Sequence, residues 1–323
     1  METPVKIAEI ASKLQTGPLR ASLFNLIVFT QKNERATYLR TISQNAIKRF
    51  PSRVIFITAD RQSHNDELSA EVTTIQSDVA CDWIDIYATE ANLPQVPFVI
   101  LPHLLTDLPI YVVWGEDPSL SNPIASALEN LADRLIFDSE TTEDLHAFAR
   151  SALQHHVEGR VDIADLCWAR TESWRQLLAA IFHGKERIEQ LKRIKTVQIT
   201  YNAITSPFFC HTKTQSLYIQ NWLEGQLNWK KTQITLQPGQ NKELAPGAII
   251  SLDMLTSEGE HFAFVRTPEE PHQVKMILST PDRCEIPSKF IFTKTQAGLS
   301  LVNEIGHTGT SPHFLKLMET LAL

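Results

Sequence analysis

The chain has 323 residues, 43% of them hydrophobic and 21% charged, with Gly 11 and Pro 17. This is ordinary globular composition, which excludes collagen-like, low-complexity and disordered architectures, and the length suits two domains. Lys and Arg total 30 against 37 Asp and Glu, a net charge of −7, so the overall field suits neither nucleic acid nor an anionic membrane. The composition fits a soluble protein that binds small molecules or other proteins.

The cysteines at 81, 167, 210 and 284 are too sparse for a disulfide scaffold, and none stands in C-x-x-C spacing. Reduced thiols in the cytoplasm are expected, with no zinc site and no local dithiol. Residues 1–18 lack the apolar core of a secretory signal. The longest apolar candidate, Pro97 to Trp114, is broken by prolines, His103 and Asp107, so it does not read as a membrane span of ~20 residues.

In chain order, Leu23 to Phe29 is a short apolar run of the kind buried on both faces of a sheet. Glu34 to Phe50 carries Leu39, Ile42, Ala46 and Phe50 at helical spacing, with Asn33 as N-cap and Pro51 as stop. Arg53 to Thr58 is a second strand. Such a strand–helix–strand unit implies a parallel pair.

Trp83 to Tyr87 and Pro109 to Trp114 read as further strands. Asn122 is expected to cap a helix with Pro123 at its first position and Ile124, Ala127, Leu128 and Leu131 inside. Leu135 to Phe137 returns as a strand. Thr141 and Asp144 suggest a capping box for a helix carrying Leu145, Phe148, Ala152 and Leu153. Residues 20–160 thus read as α/β with a mostly parallel sheet.

Residues 165–193 read as amphipathic helix, with Trp174, Leu177, Leu178, Ile181 and Phe182 in one stripe. The stripe fades in the charge-dense Lys185 to Lys195, a solvated face, and the domain boundary is placed there. The expected domains are 1–190, α/β, and 191–323, a smaller α+β unit. In the latter, Val197–Tyr201, Gln233–Leu236, Phe262–Arg266 and Val274–Leu278 lean to period two and predict an antiparallel meander. Turns are expected at Gln237-Pro238-Gly239, Ser257-Glu258-Gly259 and Pro268–Pro271. A helix from Ser216 to Trp229, with Gly225 inside it, interrupts the meander, and Pro312 to Leu321 closes the chain as a helix.

No G-x-G dinucleotide fingerprint, Walker A loop, H-E-x-x-H or G-x-S-x-G occurs. His155-His156 and Cys210-His211 are sequence neighbours, which point apart on regular elements. Four polar spots remain. Pro51-Ser52-Arg53 precedes the second strand and reads as a turn with a solvated arginine or as part of a ligand crevice. Asp133-Arg134 precedes the strand of Leu135–Phe137. Asp138-Ser139 follows that strand, where open α/β sheets bind ligands, though a helix N-cap is the favoured reading there. The run from Asp165 to Leu178 holds Trp168, Arg170, Trp174 and Arg175 beside Asp165 and Glu172. Indole and guanidinium together are enriched at interface centres and anion pockets. The other reading buries the tryptophans and pairs the arginines with the acids.

The Asp165–Leu178 run also resembles the signature of the glucose-6-phosphate dehydrogenase assembly protein family, OpcA, with Cys167, Thr171, Ser173 and Gln176 as departures. Five other blocks line up in the same order. They are Asn25–Val28, Pro51–Ile55, Leu104-Leu105 through Leu108-Pro109 to Trp114, Asp133–Ile136 with Asp138-Ser139, and Asn221–Leu223 through Leu227–Trp229. The resemblance implies a non-catalytic partner of glucose-6-phosphate dehydrogenase, the first enzyme of the oxidative pentose phosphate pathway, that promotes its active oligomer. In photosynthetic bacteria it also implies a link to thiol redox state. Trp168, Arg170, Trp174, Arg175, Asp165, Arg53, Asp138 and Ser139 are the candidate partner- or effector-binding residues. No catalytic residue, metal or cofactor is expected; a small anionic effector is. The competing expectation is a sugar-phosphate- or nucleotide-binding α/β enzyme or sensor, with Arg53, Asp138, Ser139, Arg170 and Arg175 lining a crevice.

Overall fold

The computed structural model describes residues 21–75, 79–229, 232–267, 269–292 and 298–323. The chain divides into two units after Leu166. A later stretch ending at Ser311 belongs with the first unit, and Pro312–Leu321 with the second. The boundary expected near 190 therefore falls inside the second unit.

In the first unit, β1 (Asn25–Gln31) runs parallel to β2 (Arg53–Asp60), with Ile27 beside Ile55, as the strand–helix–strand pattern implied. The intervening α1 (Glu34–Ile47) starts at Asn33, whose side chain accepts from the Arg35 amide. β3 (Leu68–Ile75) and β4 (Cys81–Thr89) follow, then α2 (Val96–Ile100), β5 (Ile110–Trp114), α3 (Ala125–Glu129), β6 (Arg134–Phe137), α4 (Leu145–Glu158) and β7 (Asp162–Asp165). The sheet order is β3-β4-β2-β1-β5-β6-β7. Every pairing is parallel except β3 with β4. Without β3, the order is that of a dinucleotide-type doubly wound sheet, which reverses direction between β1 and β5. Leu26 and Val28 of β1 pack with Leu39 and Ile42 of α1, while Ile27 and Phe29 are fully buried on the other face.

Two helix starts differ from the sequence expectation. Asn122 does accept from the Ile124 amide, but the helix begins only at Ala125. Asp144 alone caps α4, accepting from the amides of His146 and Ala147, and Thr141 belongs to the preceding 3-10 turn, Ser139–Thr141. Asp144 already satisfies two of the four free amides.

The returning stretch adds α9 (Leu299–Gly306) to the first unit, where Leu301, Val302 and Ile305 join the α1 core. Arg134 holds it in place. Its guanidinium donates to the carbonyls of His307 and Gly309 and faces Glu304 at 3.4 Å.

In the second unit come α5 (Leu166–Arg170), α6 (Glu172–Ile181), α7 (Lys185–Lys192), β8 (Ile194–Asn202), α8 (Thr214–Leu227) and β9 (Gln233–Gly239). Then follow β10 (Ile249–Thr256), β11 (His261–Thr267), β12 (Glu270–Ser279), β13 (Ser288–Ile291) and, at the end, α10 (Pro312–Ala322). The sheet order is β13-β12-β11-β10-β8-β9. The expected meander holds from β10 to β13, but β8 and β9 pair in parallel. Parallel neighbours need a crossover, and α8 is that crossover. Gln237-Pro238-Gly239 accordingly continues β9 rather than turning; Pro268 of another expected turn lies outside the described residues. One face of the sheet packs against Trp174, Leu177, Ile219 and Leu223. Asn228, in the left-handed region at φ 55°, ends α8.

Gly115, just after β5, permits a close approach between β1, α1 and β5 in the first unit. A Cβ there would meet Leu39 Cδ1 and lie 2.6 Å from the Phe29 carbonyl oxygen. Backbone cannot yield as a side chain can, so Gly115→Ala is expected to cost about 1–3 kcal/mol. Urea unfolding would register this as a lower midpoint with an unchanged slope.

Candidate functional site

The parallel strands present two edges, and the sequence-derived candidates of the first unit divide between them. Arg53 opens β2 at the N-terminal edge. Its guanidinium donates to Asp82 at 2.8 Å and to the His103 carbonyl at 2.9 Å. Beside it, Asn25 donates to the carbonyls of Leu105 and Leu108 and accepts from the Leu105 amide. Burial, and then Arg53, hold the His103 imidazole below its ordinary pKa, so it stays neutral. Arg53 is thus a latch for the 103–108 loop. It does not share a crevice with Asp138, which follows β6 at the opposite edge.

Asp138, Ser139 and Asp165 do come together, at the C-terminal ends of β6 and β7, and all three are fully buried. Ser139 donates its amide (2.8 Å) and its hydroxyl (3.1 Å) to the two oxygens of Asp165. Asp138 receives Arg35 of α1 at 2.5 Å, with both side chains nearly inaccessible. The N-cap reading of Asp138 holds too, for it accepts from the Glu140 amide.

Further along the same edge lies a cluster that local sequence did not reveal. Lys32 after β1 meets Asp60 at the end of β2 at 2.8 Å, and the Tyr87 hydroxyl of β4 donates to the same oxygen at 2.6 Å. The Lys32 ammonium, and then Tyr87, hold the Asp60 carboxyl well below the usual carboxylate range. Next to it, Arg61 bridges Glu90 and Glu116, each at 3.1 Å. Burial pushes the Glu116 carboxyl up; Arg61 and Asn122 only partly offset this. Partners 27 and 28 residues from Asp60 leave no local motif.

The Trp/Arg run belongs to the second unit from Cys167 on. Trp168 and Trp174 are buried, at 7% and 1% exposure, so neither presents its ring to a partner. The Arg175 guanidinium lies 3.3 Å from the Trp168 ring centre and donates to the Trp168 carbonyl and the Thr171 hydroxyl. Arg170 lies over Phe209 at 5.5 Å. Trp174 packs edge-on to Phe292, beside Arg266. The arginines of the run therefore stack on aromatic rings within their own unit.

A groove of about 740 Å³ beside α4 is lined by Trp114, Asn122, Ser126, Arg150, His155 and Glu158 among others. His155 meets Glu129 at 2.9 Å, so the acids there balance the cations and the field does not favour an anion. Cys81 and Cys167 are buried, and Cys210 and Cys284 are exposed. Among the described residues, no helix is long and apolar enough to cross a membrane.

Comparison with known proteins places this architecture. Residues 43–154 match the family profile described as glucose-6-phosphate dehydrogenase subunit N-terminal domain, and residues 161–315 match the corresponding C-terminal domain. The chain belongs to the OpcA family. Two curated relatives, each named "Putative OxPP cycle protein OpcA", come from Synechococcus elongatus and Nostoc punctiforme. They are 26% and 27% identical over 163 and 165 residues. Those stretches cover 50% of this chain but only 35% and 33% of the relatives, so this chain matches about a third of their length. The names of the matched profiles refer to assembly of glucose-6-phosphate dehydrogenase, and those of the relatives to the OxPP cycle.

Solved structures share the fold at low identity. KijD10, a 3-ketoreductase from Actinomadura kijaniata in complex with NADP and TDP-benzene, aligns with TM-score 0.53 and 9% identity over 94% of this chain and 95% of that one. A super-repressor mutant of Gal80p from Saccharomyces cerevisiae aligns with TM-score 0.50 and 9% identity, covering 93% of each chain.

Two outcomes follow from the geometry. Arg175→Ala removes a stacked cation and two donors from a half-buried clasp, so a loss of about 1–2 kcal/mol is expected, read as a lower melting temperature. Asp60, with its depressed carboxyl, stabilises the fold above the unfolded value of about 4, and that contribution is lost as pH falls below it. Asp60→Asn should therefore melt earlier than wild type at neutral pH, and the gap should narrow as pH falls from about 4 to about 2. A gap that is constant with pH would contradict the ionic role.

Proposed function

We propose that this chain is a non-catalytic cytoplasmic factor that binds glucose-6-phosphate dehydrogenase and promotes its active oligomer. Family membership across both units carries this reading, since the two family profiles cover residues 43–154 and 161–315 in order. The chemistry of the chain supports it. The turn after β1 lacks a phosphate-binding glycine, and no nucleophile–base–acid motif was found in the sequence. The titratable groups at the C-terminal edge, where such a fold carries its chemistry, are engaged with one another.

Within this reading, Arg170 is the partner-facing candidate of the run, while Arg175, stacked on Trp168, and the buried Trp168 and Trp174 hold the segment in place. Asp165, Asp138, Ser139 and Arg53 act indirectly, by fixing the two edges of the sheet. A small anionic effector has weaker support, because the groove beside α4 carries acids as well as cations. The alternative of a sugar-phosphate- or nucleotide-binding enzyme draws support from the fold alone.

Mixing this chain with the dehydrogenase of the same organism should yield a complex on size-exclusion chromatography. It should also raise dehydrogenase activity and shift the enzyme to its larger oligomer. The isolated chain should turn over no pentose phosphate intermediate. Robust turnover by the pure chain, or no complex at micromolar concentrations of both proteins, would sink the proposal.

A further inference from the structure

The C-terminal edge between β1 and β5 is where a doubly wound sheet takes a dinucleotide. That ligand makes three demands. The turn after the first strand must bring backbone amides against the pyrophosphate, which glycine permits. The following helix must offer its N-terminus to the phosphates. An acid beyond the second strand must be open to the ribose hydroxyls.

Each demand meets a specific obstacle here. The turn Gln31-Lys32-Asn33-Glu34 contains no glycine. Asn33 caps α1 through the Arg35 amide at 3.0 Å, and Glu34 places a carboxylate in the first turn, where it repels phosphate. The acid is present as Asp60 at the end of β2, but both its oxygens are taken. One receives Lys32 and Tyr87; the other accepts from the amides of Gln62 and Ser63. Across the switch point, Arg61 is held by Glu116, itself buried and hydrogen-bonded to Asn122. The close helix–strand approach that a glycine of the first turn would supply comes instead from Gly115, against Leu39 and Phe29.

We propose that this crevice is self-liganded: Lys32 and Tyr87 take up Asp60 in place of a ribose, and the chain is closed to NAD(P) and related dinucleotides. The pairs that close it also join β1 to β2 and β4 at the edge where the fold ordinarily opens. Residues of the dinucleotide type do not fit here, although the sheet order does. The inference goes beyond the assembly reading and does not depend on it.

The test uses the intact chain alone. NADPH fluorescence is titrated to about 1 mM, a level at which even weak specific binding registers. The expected result is no saturable signal, and no rise in melting temperature with NADP or NADPH. Lys32→Met and Asp60→Asn should each lower the melting temperature without ligand. Two variants are used so that one failing to fold leaves the other informative. Saturable NADPH binding by the wild type, weakened tenfold or more in Asp60→Asn, would overturn the proposal by making Asp60 a ribose ligand. Both variants melting like the wild type would overturn it as well, since the clasp would then hold nothing. Neither outcome bears on whether the dehydrogenase binds, so the two proposals stand or fall separately.

Discussion

A parallel sheet covered on both faces has nowhere to put a charge except at the ends of its strands. In the first unit six of the seven residues of β1 and all four of β6 are buried, and apart from pairs such as Arg40 with Asp85, midway along β4, the charged side chains gather at the two edges. The N-terminal edge uses them to tie down backbone. Asn25 and Arg53 hold the 103–108 loop, and Arg134 holds the returning stretch before Ser311. The C-terminal edge uses them to pair charges: Lys32 with Asp60, Arg61 with Glu116, Arg35 with Asp138. At Arg35–Asp138, where both side chains are inaccessible, removing one partner leaves a buried charge unpaired at a cost of several kcal/mol.

This arrangement explains which parts of the fold the sequence makes legible. The β1–α1–β2 unit is plain because its strands are continuous apolar runs and its helix has a single inner face and a cap. β3 is harder to see: it is an edge strand in which the exposed Ser69, Glu71 and Thr73 alternate with half-buried residues, which resembles a polar loop. β13 is only four residues long. β10 does carry a period-two signal, with Leu252 and Met254 between Ser251, Asp253 and Leu255. The parallel pairing of β8 and β9 is invisible to periodicity, which says nothing of direction. The helix between them was the available clue, since a helix joining two strands of one sheet usually makes a parallel crossover. The join of Gly298–Ser311 to the first unit rests on tertiary contacts alone, which is why a boundary near 190 looked reasonable.

The candidate site shows the same division. The Trp/Arg run stands out by composition, but composition cannot separate an arginine that meets a partner from one that stacks on its own tryptophan. At Arg175 the geometry favours the stack, with the guanidinium 3.3 Å over Trp168. The Asp60 cluster left no local signal, because Lys32, Asp60 and Tyr87 meet only once three strands are aligned. The absent glycines after β1 were readable from the start. What replaced them was not.

The blocks that carry the family resemblance acquire a physical meaning from these contacts. Asn25, Arg53, Leu105 and Arg134 lie in four of the six blocks, and each takes part in a tie at the N-terminal edge. Asp138, Ser139 and Asp165 lie in two blocks and form the buried network at the other edge. The residues of these blocks in the first unit therefore describe how the sheet is locked. The same fold serves a ketoreductase and a super-repressor, so it decides nothing about function by itself. A sheet locked at both edges keeps its outer surface in one shape. For the assembly role proposed above this matters, because a preorganised surface spends less of its binding energy on ordering itself.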